Sequence, residues 1–307
     1  MTILITGANG FIGKHVCSLI DNKVCVVRKG QGHKYKKTFE VESINNETDW
    51  SGAFQRVVSV IHLAGLAHSK SYSPAEYRSV NVEGALNLAR SAFKNGVKRF
   101  VFVSSIGVNG ETTSDIPFSS ISQPNPQNEF ARSKYDAEKG LMQFARETEL
   151  ELVIVRPTLV YGPKAPGNFG TLCGLIKKTP VLPFGLAKNK RSFISVLNLA
   201  DLLVTCATHP NAPGQKFLAS DGQAVSIKQF TDAIANGLGK KVFHLPIPVS
   251  LFKGVGKITG RQKMIHQLFG NLEVDSSNIQ EVLGWSAPYS MHDTMASLIG
   301  DKQCYVF

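Results

Sequence analysis

The 307-residue sequence has few cysteines, no long apolar run and no repeated or low-complexity segment. Its five cysteines, at 17, 25, 173, 206 and 304, are scattered and never form a CxxC pair. That excludes a disulfide framework and leaves no spacing for a metal site. No apolar stretch approaches the ~20 residues that cross a bilayer. A first strand starting directly after Met1 leaves no room for a signal peptide, so a cytoplasmic protein is expected. Acidic residues are in deficit as well: 23 against 34 basic ones give a formal charge of +11. Such a surplus calls for an anionic partner, whether nucleic acid, a membrane surface or a phosphorylated small molecule. Without a zinc pattern or an aromatic-basic motif, nucleic acid is set aside. What remains is a phosphorylated ligand, with weak membrane-surface association as a minor use of the charge.

What is present begins at the N-terminus. Ile3 to Ile5 suit a buried strand, Gly7, Gly10 and Gly13 a tight turn, and Phe11, Ile12, Val16, Leu19 and Ile20 a helix. Strand, glycine turn and helix in that order cradle a pyrophosphate, because backbone approaches closely and free N–H groups of the helix face the charge. Val24–Val27, Thr38–Val41, Val57–Leu63, Phe100–Val103 and Leu152–Val155 read as further strands. Between them, Ser73-Pro74-Ala75-Glu76 starts a helix that Asn95-Gly96 stops, and a second helix covers about 130–148. Strands alternating with helices predict crossover units and a mainly parallel sheet covered on both faces. After Arg156-Pro157 proline and glycine become dense and the alternation is lost. Residues 1–157 are therefore expected to form a dinucleotide-binding domain, with 193–219 returning to it. Residues 158–192 and 220–307 would form a smaller lobe, with ligand in the cleft between.

Tyr135 and Lys139 are spaced i, i+4, so a helix shows both on one side while Phe130, Leu141, Phe144 and Ala145 supply apolar contacts. An ammonium beside a phenol favours the phenolate, which suits acid–base work.

These residues, together with His62-Leu63-Ala64-Gly65, Asn81-Val82-Glu83-Gly84, Val103-Ser104-Ser105 and Arg156-Pro157-Thr158-Leu159-Val160-Tyr161-Gly162-Pro163, resemble the extended short-chain dehydrogenase/reductases over nearly the whole chain. That family includes nucleotide-sugar epimerases, dehydratases and reductases. The resemblance implies a doubly wound, mainly parallel α/β Rossmann sheet with a smaller C-terminal α/β substrate lobe. Matching the family's YxxxK, Tyr135 would exchange a proton with the substrate oxygen and Lys139 would hold the nicotinamide ribose. Ser105 would bond the same oxygen and Asn81 would support the relay. The dinucleotide would contact Gly7, Asn9, Gly10, Phe11, Ile12, Gly13, Ser43, Ile44, Leu63, Ala64, Gly65, Pro157 and Thr158.

Arg28 and Lys29 stand at the end of the second strand, where an acidic residue would bond the adenosine ribose of NAD. Cations there suit a 2′-phosphate, so NADP(H) is expected over NAD(H), which the site still admits. Asn168 and Arg191 resemble positions that bind the nucleotide diphosphate, and Arg261 is a further candidate for it. Ile106 and Gly107 occupy the place of the dehydratases' Asp-Glu pair, which argues against dehydration. The expected reaction is NADPH-dependent reduction of a UDP-4-keto-6-deoxy-N-acetylhexosamine for surface polysaccharide. The alternative is a UDP-glucose or UDP-N-acetylglucosamine 4-epimerase, and a more remote one is a non-catalytic NADP-binding regulator. A homodimer through the helices carrying Asn81 and Tyr135 is also implied.

Overall fold

The computed structural model describes residues 1–67, 72–258, 260 and 262–299. The first half alternates as the sequence predicts. Strands β1 (Thr2–Thr6), β2 (Lys23–Arg28), β3 (Thr38–Val41), β4 (Val57–His62), β5 (Arg99–Val103) and β6 (Glu151–Pro157) are interleaved with helices α1 (Phe11–Ser18), α2 (Pro74–Tyr77), α3 (Gly84–Lys94) and α4 (Glu129–Glu147). Beyond β6 come β7 (Leu159–Tyr161), α5 (Asn168–Lys178), β8 (Val181–Leu182), β9 (Arg191–Ser195), α6 (Val196–Thr208), β10 (Lys216–Ala219), β11 (Ala224–Val225), α7 (Ile227–Gly237) and β12 (Phe243–His244). Four short helices follow, at Val249–Ile258, Gln262–Phe269, Ser277–Leu283 and Met291–Ala296. None of the described helices is long and apolar enough to cross a membrane.

The main sheet has seven strands in the order β10-β6-β5-β4-β1-β2-β3, and every neighbouring pair is parallel. Both of its faces are covered, which is why the strands read as continuous apolar runs. Alternation along β1 divides the core: Ile3 and Ile5 pack with Val16 of α1 and Leu199 and Leu203 of α6, while Leu4 packs with Leu88 of α3 and Leu141 of α4.

The Ser73 cap forms as predicted, a capping box with Glu76 and with Pro74 in the first turn. Between α2 and α3, Arg78–Glu83 widens into a π-helical stretch, a local irregularity common at functional sites, and Asn81 is buried within it.

One strand goes elsewhere than expected. Of the segment 193–219, the part in β9 does not rejoin the main sheet: β9 pairs with β7 on one side and β11 on the other. The return is made by α6, packed on α1, and by β10, which lies beside β6. The second lobe has its own aromatic core, in which Phe193 and Phe230 stack at 3.9 Å between centroids, with Tyr161 and Phe169 against them.

Candidate active site

Because the strands are parallel and in register, Thr6, His62 and Phe102 mark one end of the sheet, and the chain that leaves each of them enters a common crevice. The glycine turn forms its floor. Gly7 has φ +68°, and a Cβ on Gly13 would lie 2.1 Å from the Gly7 carbonyl oxygen, so side chains at 7 and 13 are excluded by backbone. No side chain caps the first turn of α1, whose N–H groups face the crevice as the macrodipole's positive end. This arrangement fits a pyrophosphate.

Thr6 braces the neighbouring turn: its hydroxyl meets His62 Nδ1 at 2.7 Å and accepts from Ala64 N at 3.1 Å. Burial holds the His62 imidazole neutral, its pKa pushed down to about 3. Asn81 fixes the next residues. Its Oδ1 accepts from Leu66 N at 2.7 Å, and its Nδ2 donates to Leu66 O at 3.2 Å and Ser133 Oγ at 2.9 Å. Loop, π-helical stretch and α4 are thereby joined.

The lysine at this junction is Lys134. A Cβ on Gly65 would fall 2.8 Å from Asn81 Oδ1 and 3.3 Å from Lys134 Nζ, which donates to Val103 O at 2.9 Å. The ammonium also lies 4.9 Å from the centre of the Phe102 ring. Burial pushes its pKa down to about 8, against the opposing pull of Glu138. Lys139, by contrast, is exposed and ion-paired with Asp136 at 2.8 Å. Its pKa is raised, first by the hydrogen bond to Asp136. The expected pair is thus displaced: Lys139 lies about 140° round α4 from Lys134, and Tyr135 about 100°. Tyr135 is half-buried, with Lys139 Nζ 5.0 Å from the centre of its ring. Nothing in the i, i+4 spacing of 135 and 139 tells which side of the helix meets the sheet; the packing of Ala137, Glu138 and Leu141 decides it.

Ser105 follows β5, half-buried, and its Oγ accepts from Gly107 N at 3.1 Å. A Cβ on Gly107 would be 3.4 Å both from Ser105 Oγ and from Ala131 Cβ, which puts Ser105 against the first turn of α4. Ser104, its neighbour, has its N–H bonded to Val155 O and a buried hydroxyl with no partner among the described residues.

The remaining candidates divide by place. Asn9 Nδ2 reaches Gln31 Oε1 at 3.5 Å. Ser43 is exposed and accepts from Asn45, and Ile44 packs where a Cβ on Gly84 would fall. Thr158 uses both its N–H and its hydroxyl on Ala219 O. At the end of β2, Arg28 is exposed, and Lys29 is paired with Glu42 at 2.9 Å. Asn168 is exposed at the start of α5. Arg191 is half-buried, donates to Gly270 O at 3.0 Å, and has its pKa pushed down to about 10 by burial. Arg261 and Cys304 lie outside the described residues.

Much of the basic surplus lies away from the crevice. Lys34, Lys36 and Lys37 line an open cavity of about 800 Å³ with Lys14, Lys23 and Arg56, at the opposite end of β1. Two further residues were not foreseen. Arg156 and Glu138, both wholly buried, form a two-point ion pair, and Arg156 also donates to Asn109 Oδ1 at 2.9 Å. Arg156 stood in a recognised segment, but its partner is 18 residues away on another element. Among the described residues no group of His, Cys, Asp and Glu could hold a metal ion.

Fold and crevice together define a dinucleotide-binding α/β protein with a second lobe beyond its strand ends. Residues 3–219 match the model of the NAD dependent epimerase/dehydratase family, and the chain belongs to it, as an extended short-chain dehydrogenase/reductase of the nucleotide-sugar epimerase type. It is 41% identical over 303 residues to a UDP-glucose 4-epimerase of Vibrio cholerae, covering 95% of this chain and 92% of that one. A second relative, 26% identical over 94% of the chain and 91% of its own length, is the N-acetyl-alpha-D-glucosaminyl-diphospho-ditrans,octacis-undecaprenol 4-epimerase of Escherichia coli O157:H7. The fold is shared with the UDP-glucose 4-epimerase of Thermotoga maritima, solved with UDP-glucose, at a TM-score of 0.77, 24% identity and 98% coverage of both chains. It is shared too with the UDP-N-acetylglucosamine 4-epimerase of Bacillus cereus, at a TM-score of 0.79, 19% identity and coverage of 97% and 98%.

Proposed function

We propose that this chain interconverts the carbon-4 epimers of a UDP-linked sugar with the help of a bound nicotinamide dinucleotide. The observation that carries the reading is 41% identity to a UDP-glucose 4-epimerase across nearly the full length of both chains. The crevice supports it chemically. The chemistry supplied by the dinucleotide is reversible hydride acceptance from carbon 4. Lys134 would hold the nicotinamide ribose in place of Lys139, Asn81 would keep the Gly65 turn and α4 in register, and Ser105 would hydrogen-bond the sugar oxygen. Arg191 and Asn168 would meet the nucleotide diphosphate.

One-way reduction drew part of its support from two cations at the end of β2. Lys29 is engaged by Glu42, which leaves Arg28 alone to favour a 2′-phosphate, so epimerisation takes first place. The Arg28 guanidinium still supports NADP(H) as a ligand.

Incubation with UDP-glucose, UDP-N-acetylglucosamine and UDP-4-keto-6-deoxy-N-acetylglucosamine, with NADPH absorbance and products followed, tests the proposal. Interconversion without net NADPH loss is expected. Stoichiometric NADPH consumption with the keto sugar would establish the reductase instead.

A further inference from the structure

The family's acid–base motif sets a tyrosine four residues before a lysine, and the lysine that the fold turns into the crevice is Lys134. Four residues before it stands Phe130. On a helix that spacing brings the two side chains to one face, about 40° apart. Phe130 belongs to the first turn of α4 beside Ala131, the turn that Ser105 approaches through Gly107. Ser105, Phe130 and Lys134 therefore converge on one stretch of the crevice wall. A phenyl ring fills the volume of a phenol but can neither give nor take a proton.

Tyr77, Tyr135 and Tyr161 are turned to other tasks, and Tyr72 is exposed, its ring edge-on to that of Tyr77 at 5.8 Å. Tyr77, whose ring is 6.4 Å from that of Phe130, is buried and donates its hydroxyl to Ala67 O at 3.2 Å. Tyr135 lies round the helix under the Lys139 ammonium. Tyr161 donates to Asp221 at 2.7 Å in the second lobe.

We infer that position 130 is the seat of the proton-exchanging group in this fold, and that this chain, with phenylalanine there, moves the carbon-4 proton slowly, through the Ser105 hydroxyl to Lys134. The inference rests on the function proposed above. In the oxidative half-reaction the C4–H bond breaks and its electron pair leaves as hydride to the nicotinamide. The C4–OH proton passes to Ser105 Oγ, the Ser105 proton passes to the neutral amine of Lys134, and the C4=O bond forms. The reductive half-reaction returns hydride to the opposite face and the proton along the same route. Turnover in the native chain should accordingly rise with pH through about 8, where Lys134 loses its proton.

The test is Phe130→Tyr, with three readouts. Calorimetry with NAD and with UDP should give equal affinities in native and variant proteins. Epimerisation should rise by about 10²- to 10⁴-fold, the usual worth of a positioned acid–base group. An ultraviolet titration needs no substrate: the variant should gain one phenolate that ionises below the ordinary value of about 10, and adding Lys134→Met should return it there. Equal turnover in the two proteins, with both ligands bound, would overturn the inference, as would a new phenol titrating normally beside an intact Lys134. Absence of NAD and UDP binding in both would overturn the proposed function instead, while the titration still decides what position 130 faces.

Discussion

Glu138 of α4 and Arg156 of β6 meet as a bidentate ion pair from which water is wholly excluded. The third hydrogen bond of Arg156, to Asn109, ties in the segment that follows Ser105. The helix that carries Lys134 is thereby fixed to the sheet and to the loop of Ser105 by one guanidinium. Removing one partner leaves a buried charge uncompensated, so Glu138→Gln or Arg156→Met should each cost about 3–5 kcal/mol. The double change Glu138→Leu with Arg156→Met should recover most of that loss. Urea unfolding of the three variants checks it, and a double mutant no more stable than the singles would refute it.

Lys134 makes a pH-dependent contribution of defined sign. Its pKa is lowered from 10.5 to about 8 in the folded chain, so between those values the unfolded state binds more protons. Stability therefore rises with pH across that window as the cost of burying the charge is relieved. Lys134→Met removes the dependence: the variant should gain most relative to the native protein below pH 8, and the gain should shrink toward pH 10.5. Unfolding midpoints of both proteins at the two ends of the window are the measurement. A constant difference would show that Lys134 is not desolvated.

Gly13→Ala places a Cβ 2.1 Å from the Gly7 carbonyl oxygen and 2.9 Å from Ala8 Cα, and both obstacles are backbone. Neither can swing aside as a side chain would. The substitution should cost at least the upper end of the usual 1–3 kcal/mol, roughly, for overpacking. Dinucleotide affinity should fall with it, since the turn must open. Thermal unfolding and NAD titration would reveal it, and native-like values in both would contradict the geometry.

At the end of β2, Arg28→Asp should weaken NADP binding by about tenfold or more and strengthen NAD binding, through loss of a charge-assisted contact and gain of a ribose acceptor. Lys29→Ala should change the ratio little, because Glu42 already holds that ammonium. Parallel fluorescence titrations with NADH and NADPH give the ratio. If it does not move in the Arg28 variant, the arginine is merely a solvated cation.

The alternation of apolar strands and helices, the Ser73 capping box and the glycine turn were legible in the sequence because each rests on neighbours a few residues apart. The segments of Gly7, Leu63, Asn81 and Ser105 also have recognisable local order, and the structure places Gly7, Leu63 and Ser105 just beyond the ends of β1, β4 and β5. The acid–base pair was not legible. Tyr135 and Lys139 have the right residue types and the right spacing, yet Lys139 is exposed and paired with Asp136, and the buried ammonium of α4 is that of Lys134. Spacing fixes only which residues share a helical face. Which face meets the sheet depends on Ala137, Glu138 and Leu141 packing against other elements, with Arg156 as the partner that Glu138 finds across 18 residues.

Local sequence by itself thus determined the alternating elements of residues 1–157 and the strand ends that frame the crevice. Tertiary structure alone decided that β9 pairs outside the main sheet, that Lys29 is ion-paired with Glu42, and that the buried ammonium belongs to Lys134 with Phe130 one turn before it. These outcomes depend on contacts between residues far apart in the chain, where burial and charge pairing select one rotation of a helix and one neighbour for a strand.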